Sequence, residues 1–119
     1  MAEGAGTYLS SLELLRAFKR SDCGYALRRD FSSVDTALAA EVLPAFPPNV
    51  RNEVSMQMQR LKPMMSKQAE DYVGSMIAEA KRKQDRNTAC GNVAGLLTSV
   101  SSQAYQNWLT AKQQYGWRH

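Results

Sequence analysis

Histidine is almost absent from this chain, and its absence argues against most enzyme chemistries. The single histidine, His119, is the last of 119 residues. A Ser–His–Asp triad or a Cys–His pair needs an imidazole held in a fixed place beside a nucleophile, and a terminal residue is poorly suited to that. The segment GNVAG, residues 91–95, lacks the preceding strand and the G-x-G-x-x-G spacing of a phosphate-binding loop. With only two cysteines and no C-x-x-C, a four-ligand zinc site is not expected either. We therefore predict a protein that is not an enzyme and binds no metal or cofactor.

Long apolar runs and a strong charge imbalance are also missing. No apolar run approaches the roughly 20 residues that span a bilayer. The first residues, MAEGAGTYLSS, lack the basic and apolar regions of a signal peptide, so the chain is either cytosolic or a mature form from which a leader was removed. The formal net charge is only +4. The basic cluster KRKQDR, residues 81–86, lies at the C-terminal end of a predicted helix, where cations complement the helix dipole, and no aromatic side chain accompanies it. Nucleic acid is therefore not expected as a partner.

The sequence does contain helical periodicity, interrupted by proline and glycine. Hydrophobic residues make up 44% of the chain and charged residues 22%, a usual globular balance. Apolar positions recur with a 3.6-residue period, and Pro63 is predicted to end one of the helices. The predicted helical segments cover residues 10–22, 33–43, 50–61, 67–83 and 88–114. We expect an all-α, four- to five-helix bundle in one domain, residues 10–115, between a flexible leader, residues 1–9, and a tail, residues 116–119.

The two cysteines lie at the end of the first predicted helix and the start of the last. Cys23 is in KRSDCGY and Cys90 is in NTACGNV, and neither is next to a lysine or a histidine, although Lys19 and Arg20 lie one turn before Cys23. Two buried free thiols would suit a cytosolic protein, whereas a disulfide would indicate an oxidising compartment. We favour the disulfide, which would close a long loop and contribute about 4 kcal/mol by the loop-entropy argument.

These motifs resemble the PulS/OutS pilotin family of type II secretion systems. The resemblance is carried by K-x-x-D-C-G-Y, residues 19–25, and by the late segment RNTACGNVAGLL, residues 86–97. In that family a four-helix bundle is held by one disulfide between an early and a late helix. It captures an amphipathic C-terminal helix of a secretin subunit and assists its outer-membrane targeting and assembly. The resemblance implies a periplasmic binding protein, associated with the outer membrane indirectly or through a lipid anchor not visible here.

The resemblance implies a groove that holds the partner helix. We expect this groove to be built from the apolar side chains that remain once one face of each helix has been assigned to the core. Met among them would suit a surface that adapts to a partner. The candidates are Leu14, Phe18, Leu43, Phe46 and Met56. The alternative for each is that it completes the core.

Other functions remain open at this point. A periplasmic immunity-type inhibitor of a secreted toxin would have the same size and disulfide. A cytosolic basic bundle that binds nucleic acid or another helix would instead have free thiols. A homodimer joined through the groove is a further alternative.

Overall fold

The computed structural model describes the fold of residues 1–115. The long helices are α1 (Ala2–Arg20), α3 (Pro48–Lys83) and α4 (Arg86–Tyr115). The short helix α2 (Val34–Ala37) continues into a π turn (Leu38–Val42) and a 3₁₀ turn (Leu43–Ala45), and another 3₁₀ turn (Gly24–Ala26) follows α1. The described part of the chain contains no strand. The all-α bundle is therefore confirmed. The predicted tail, residues 116–119, lies outside the described residues, and so does His119.

The N-terminal end differs from the prediction of a flexible leader over residues 1–9. Helix α1 begins at Ala2, and the side chains of Ala5, Tyr8 and Leu9 are buried. These three lie at i, i+3 and i+4, so they extend the apolar face of the helix toward its N-terminus. The prediction was wrong because two glycines suggested a poor helix former, whereas burial of this face offsets their cost of about 1 kcal/mol each.

Helix α3 joins the third and fourth predicted segments, so Pro63 does not end a helix as we predicted. Proline inside a helix removes one backbone hydrogen bond and crowds the carbonyl four residues earlier, at a cost of about 3 kcal/mol. Pro63 is exposed, and water can reach that side of the helix. Met58 before it and Val73 after it both pack against the core. Tertiary packing on both sides therefore outweighs the local penalty.

Side chains cap the starts of α2 and α4. The Oγ atom of Ser33 accepts a hydrogen bond from the backbone N–H of Thr36 at 3.1 Å, which caps α2. The carboxylate of Asp85 accepts one from the backbone N–H of Thr88 at 3.2 Å, which caps α4. The side chain of Thr88, and then its backbone N–H, holds the pKa of Asp85 below its ordinary value by hydrogen bonding to the carboxylate. Only residues 84 and 85 separate α3 from α4, so these helices form an antiparallel hairpin.

Helix α1 runs parallel to α3. The Oγ atom of Ser66 donates to the Glu13 carboxylate at 3.0 Å, and Lys81 donates to the Asp22 carboxylate at 2.6 Å. The residue numbers of the contacting positions therefore increase in the same direction along the two helices. Glu13 is buried, and a hydrogen bond from Arg16 at 2.9 Å gives its charge a second partner.

Helix α1 runs antiparallel to α4. Its C-terminal end is joined to the start of α4 by the disulfide between Cys23 and Cys90. Its N-terminal end packs on the far end of α4, where a Cβ atom added at Gly4 would lie 3.3 Å from the Cβ atom of Ala111. Glycine at position 4 thus permits this close approach. The chain between α1 and α3 folds back over α1, where the Tyr8 hydroxyl donates to Glu41 at 2.5 Å.

Candidate functional site: an apolar groove between α3 and α4

The cysteine pair belongs to the structure of the bundle and offers no reactive thiol. The sulfur atoms of Cys23 and Cys90 are bonded, and both side chains are fully buried. This confirms the predicted disulfide. Within residues 1–115, no group of three or more His, Cys, Asp or Glu side chains could hold a metal ion.

The most prominent open surface is a groove between α3 and α4, with α1 as its floor. Its central part encloses about 410 Å³. Ser10 and Leu14 of α1 form the floor. The walls are formed by apolar side chains of the two longer helices, chiefly Met65, Tyr72 and Met76 of α3 and Leu96 and Val100 of α4.

The groove continues beyond its central part in both directions. Met76 and Leu96 also line a cavity of about 380 Å³ that extends toward the α3–α4 connection. Met65 also lines a cavity of about 430 Å³ at the opposite end, which lies between α1 and α3 and reaches Met58 and Glu3. Shared wall residues make these cavities parts of one surface. We call this surface the α3–α4 groove.

Exposure of large apolar side chains is concentrated in this groove. In the described part of the chain seven such side chains are exposed, and five of them line the α3–α4 groove. Their exposed fractions are Leu61 42%, Met64 51%, Tyr72 57%, Leu96 53% and Val100 42%. Single exposed apolar residues are ordinary on a protein surface, but a contiguous set marks an interaction site. The groove is therefore the best candidate for a functional surface.

The five groove candidates chosen from the sequence are not brought together. Only Leu14 lines the α3–α4 groove. Phe18 and Phe46 are buried in the core, Leu43 packs partly buried against it, and Met56 is exposed but lies outside the groove lining. Phe18 is buried because α1 contacts both other long helices. More than one side of α1 is therefore directed toward the interior of the bundle.

Three of the groove residues that sequence reasoning missed belong to adjacent apolar pairs. In Tyr72–Val73, Met76–Ile77 and Leu96–Leu97 the second member is buried in the core, while the first lines the groove and is only partly buried or exposed. Neighbouring residues on a helix point about 100° apart, so a pair widens the apolar surface beyond one core face. These adjacent apolar pairs were the feature of the sequence from which these groove residues could have been predicted.

A second, more polar cavity of about 200 Å³ lies on the other side of α1, between α4 and the chain that precedes α3. Burial and then the nearby Glu41 carboxylate raise the pKa of Tyr8 above its ordinary value. The ring of Tyr8 packs against the ring of Tyr105, with their centroids 5.2 Å apart. The phenol of Tyr8 stays protonated and bonded to Glu41 at neutral pH.

Comparison of the chain with protein-family models, with curated proteins and with solved structures finds no match in any of the three. None of the helices within residues 1–115 is long and apolar enough to cross a membrane.

Proposed function

We propose that this protein is a binding protein that holds an amphipathic helix of another protein in the α3–α4 groove. The observation that carries the proposal is the collection of Leu61, Met64, Tyr72, Leu96 and Val100 along one groove, each more than two-fifths exposed. Helix-in-groove recognition uses such a surface, because a partner helix can bury one apolar face in it.

The resemblance to pilotins supplies the partner in this proposal. The helix would come from the C-terminal end of a secretin subunit, and the protein would assist the targeting and assembly of that subunit at the outer membrane. A disulfide is compatible with an oxidising compartment, which supports a periplasmic location. Methionines at positions 64, 65 and 76 favour the same function, because their unbranched side chains adapt to a partner surface.

Titration with synthetic peptides tests the proposal. The peptides cover the C-terminal helices of the secretin subunits encoded in the same genome, and fluorescence anisotropy reports binding. Met64 and Met56 form a matched pair of probes, because both lie on α3 with exposed fractions of 51% and 50% but only Met64 lines the groove. Truncation of a side chain central to an interface costs about 1–2 kcal/mol, or about 5- to 30-fold in affinity.

We expect Met64→Ala and Leu96→Ala to weaken binding by about this factor, and Met56→Ala to change it less than twofold. No saturable binding by any of these peptides would overturn the secretin assignment. Equal losses for Met64→Ala and Met56→Ala would show that the peptide binds elsewhere.

A further inference from the structure

Groove-lining positions on α3 follow a spacing that specifies the shape of the occupant. Steps of three and four residues separate six of the eight α3 positions that line the centre and open end of the groove. The six are Met58, Leu61, Met65, Gln68, Tyr72 and Met76, and the other two, Met64 and Ala69, are each next to one of them in sequence. Such a spacing keeps a ridge of side chains facing one partner over several turns, as in a coiled-coil seam. It fits a straight helix that crosses α3 at about 20°, with its own apolar residues spaced in the same way.

The length of the ridge bounds the length of the occupant. From Met58 to Lys83, at the α3–α4 connection, α3 rises about 38 Å at 1.5 Å per residue. A helix of about 25 residues would cover the whole groove. The central part, from Met65 to Met76, needs only about three turns of helix.

Charge is distributed unevenly along the groove. None of the described side chains that line its central part is charged. Helix α4 carries no Asp, Glu, Lys or Arg at the 25 positions from 87 to 111. An occupant therefore needs a neutral apolar face there, because a charge buried against this wall would find no partner.

The two ends of the groove differ in charge. At the end near the α3–α4 connection the charged lining residues are Glu79 and Lys83, and Arg82 is next to Lys83 in sequence but outside the lining. Arg82 and Lys83 both pair with the single carboxylate of Glu79, and Lys83 Nζ lies 3.3 Å from Glu79 Oε1. These two side chains are 74% and 73% exposed, so their pairing with Glu79 is weak and the excess positive charge faces outward. At the opposite end the charged lining residue is Glu3.

We propose that the α3–α4 groove selects a partner helix that carries carboxylates at one end and binds with that end beside Arg82 and Lys83. The proposal rests on the proposed function, since it names the chemistry of the helix that the groove holds. Apolar residues at alternating three- and four-residue spacing supply affinity along the neutral centre. The carboxylates set the direction in which the helix lies, because the reverse direction would place them beside Glu3.

Two designed 25-residue amphipathic peptides test this assignment. The two peptides have the same length and the same apolar face. They differ only at one end, where the first peptide has three Glu residues and the second has Gln at the same positions. Each carries a benzophenone label at that end. Affinity is measured by fluorescence anisotropy at 20 mM and at 500 mM salt, and cross-linked residues are identified by mass spectrometry. The double variant Arg82→Gln/Lys83→Gln is compared with Arg60→Gln/Lys67→Gln, which removes two exposed positive charges of α3 from outside the groove lining.

We expect the Glu peptide to bind about 3- to 10-fold more tightly at 20 mM salt and the difference to vanish at 500 mM. Arg82→Gln/Lys83→Gln should remove this difference in affinity, and Arg60→Gln/Lys67→Gln should retain most of it. Cross-links from the Glu end of the peptide should fall on residues 79–86. Equal affinities at low salt, or cross-links near residues 58–61, would overturn the charge assignment while leaving helix binding intact. Binding of neither peptide would overturn groove binding itself. A stable dimer with the groove occluded, seen by sedimentation, would assign the groove to a second copy of the chain.

Discussion

Loss of the Cys23–Cys90 disulfide should be the largest single perturbation available in this bundle. The bond links positions that are 67 residues apart in sequence. Without it the unfolded chain gains the freedom that loop closure had removed. The loop-entropy relation gives about 4.4 kcal/mol at 25 °C for a loop of this length. Domains of this size are stable by only about 5–15 kcal/mol, so the disulfide supplies a large share of the total.

The expected thermal shift follows from the size of the chain. An unfolding entropy of about 2.1 cal/mol/K per residue amounts to about 250 cal/mol/K for 119 residues. A loss of about 4.4 kcal/mol then lowers the midpoint of thermal unfolding by about 18 °C. Since both sulfur atoms are fully buried, the double variant Cys23→Ala/Cys90→Ala should lose about a further 1 kcal/mol through the cavity it leaves.

The measurement compares urea unfolding of oxidised protein, reduced protein and the double Ala variant, followed by circular dichroism. Mass spectrometry of the intact chain confirms the redox state, because the oxidised form is lighter by two hydrogen atoms. Oxidised and reduced forms that differ by less than about 1 kcal/mol would refute the reasoning. That result would mean that the reduced unfolded chain already holds its two ends close together.

Three further predictions concern positions outside the groove. Pro63→Ala should raise the free energy of unfolding by about 1–3 kcal/mol in urea titrations, because it restores a hydrogen bond within α3, and a loss of stability would contradict this account of the helix. Tyr8→Phe should cost about 1–3 kcal/mol in the same assay, because the Glu41 carboxylate loses its 2.5 Å donor, and an unchanged midpoint would show that water replaces it fully. The hydrogen bond from Lys81 lowers the pKa of Asp22 below its ordinary value of 3.8, so its small stabilisation is complete above about pH 4 and is lost as the pH falls further. Asp22→Asn should therefore flatten the acid side of the stability profile below pH 4, and an unchanged profile would exclude this contribution.

Features of the fold that depend on residues close together in the sequence could be predicted. The 3.6-residue period is local, and the helices that it indicates are present. The disulfide was also predictable, because a chain with only two cysteines leaves one intramolecular pairing to consider. Pro63 and the first nine residues were misjudged because their local penalties are opposed by burial against partners distant in sequence.

The groove was harder to predict, because it depends on how far α3 and α4 stand apart. A helical period shows which side chains can share a face, but not whether a neighbouring helix covers that face. Leu96 and Leu97 are chemically identical, yet Leu97 is 2% exposed and Leu96 is 53% exposed. Only the packed arrangement of three helices separates the two, since α1 fills the space beneath Leu97 and nothing in the described residues covers Leu96 to the same extent.

The position of the disulfide also determines how the molecule would respond to a protease. Residues 28–33 are largely exposed, and Arg28 and Arg29 among them are sites for trypsin. A cut there separates a fragment with Cys23 from a fragment with Cys90, but the sulfur–sulfur bond still holds the two together. The nicked protein should migrate as one species until it is reduced and as two afterwards. Release of α1 thus requires both cleavage and reduction, and neither event alone dismantles the bundle.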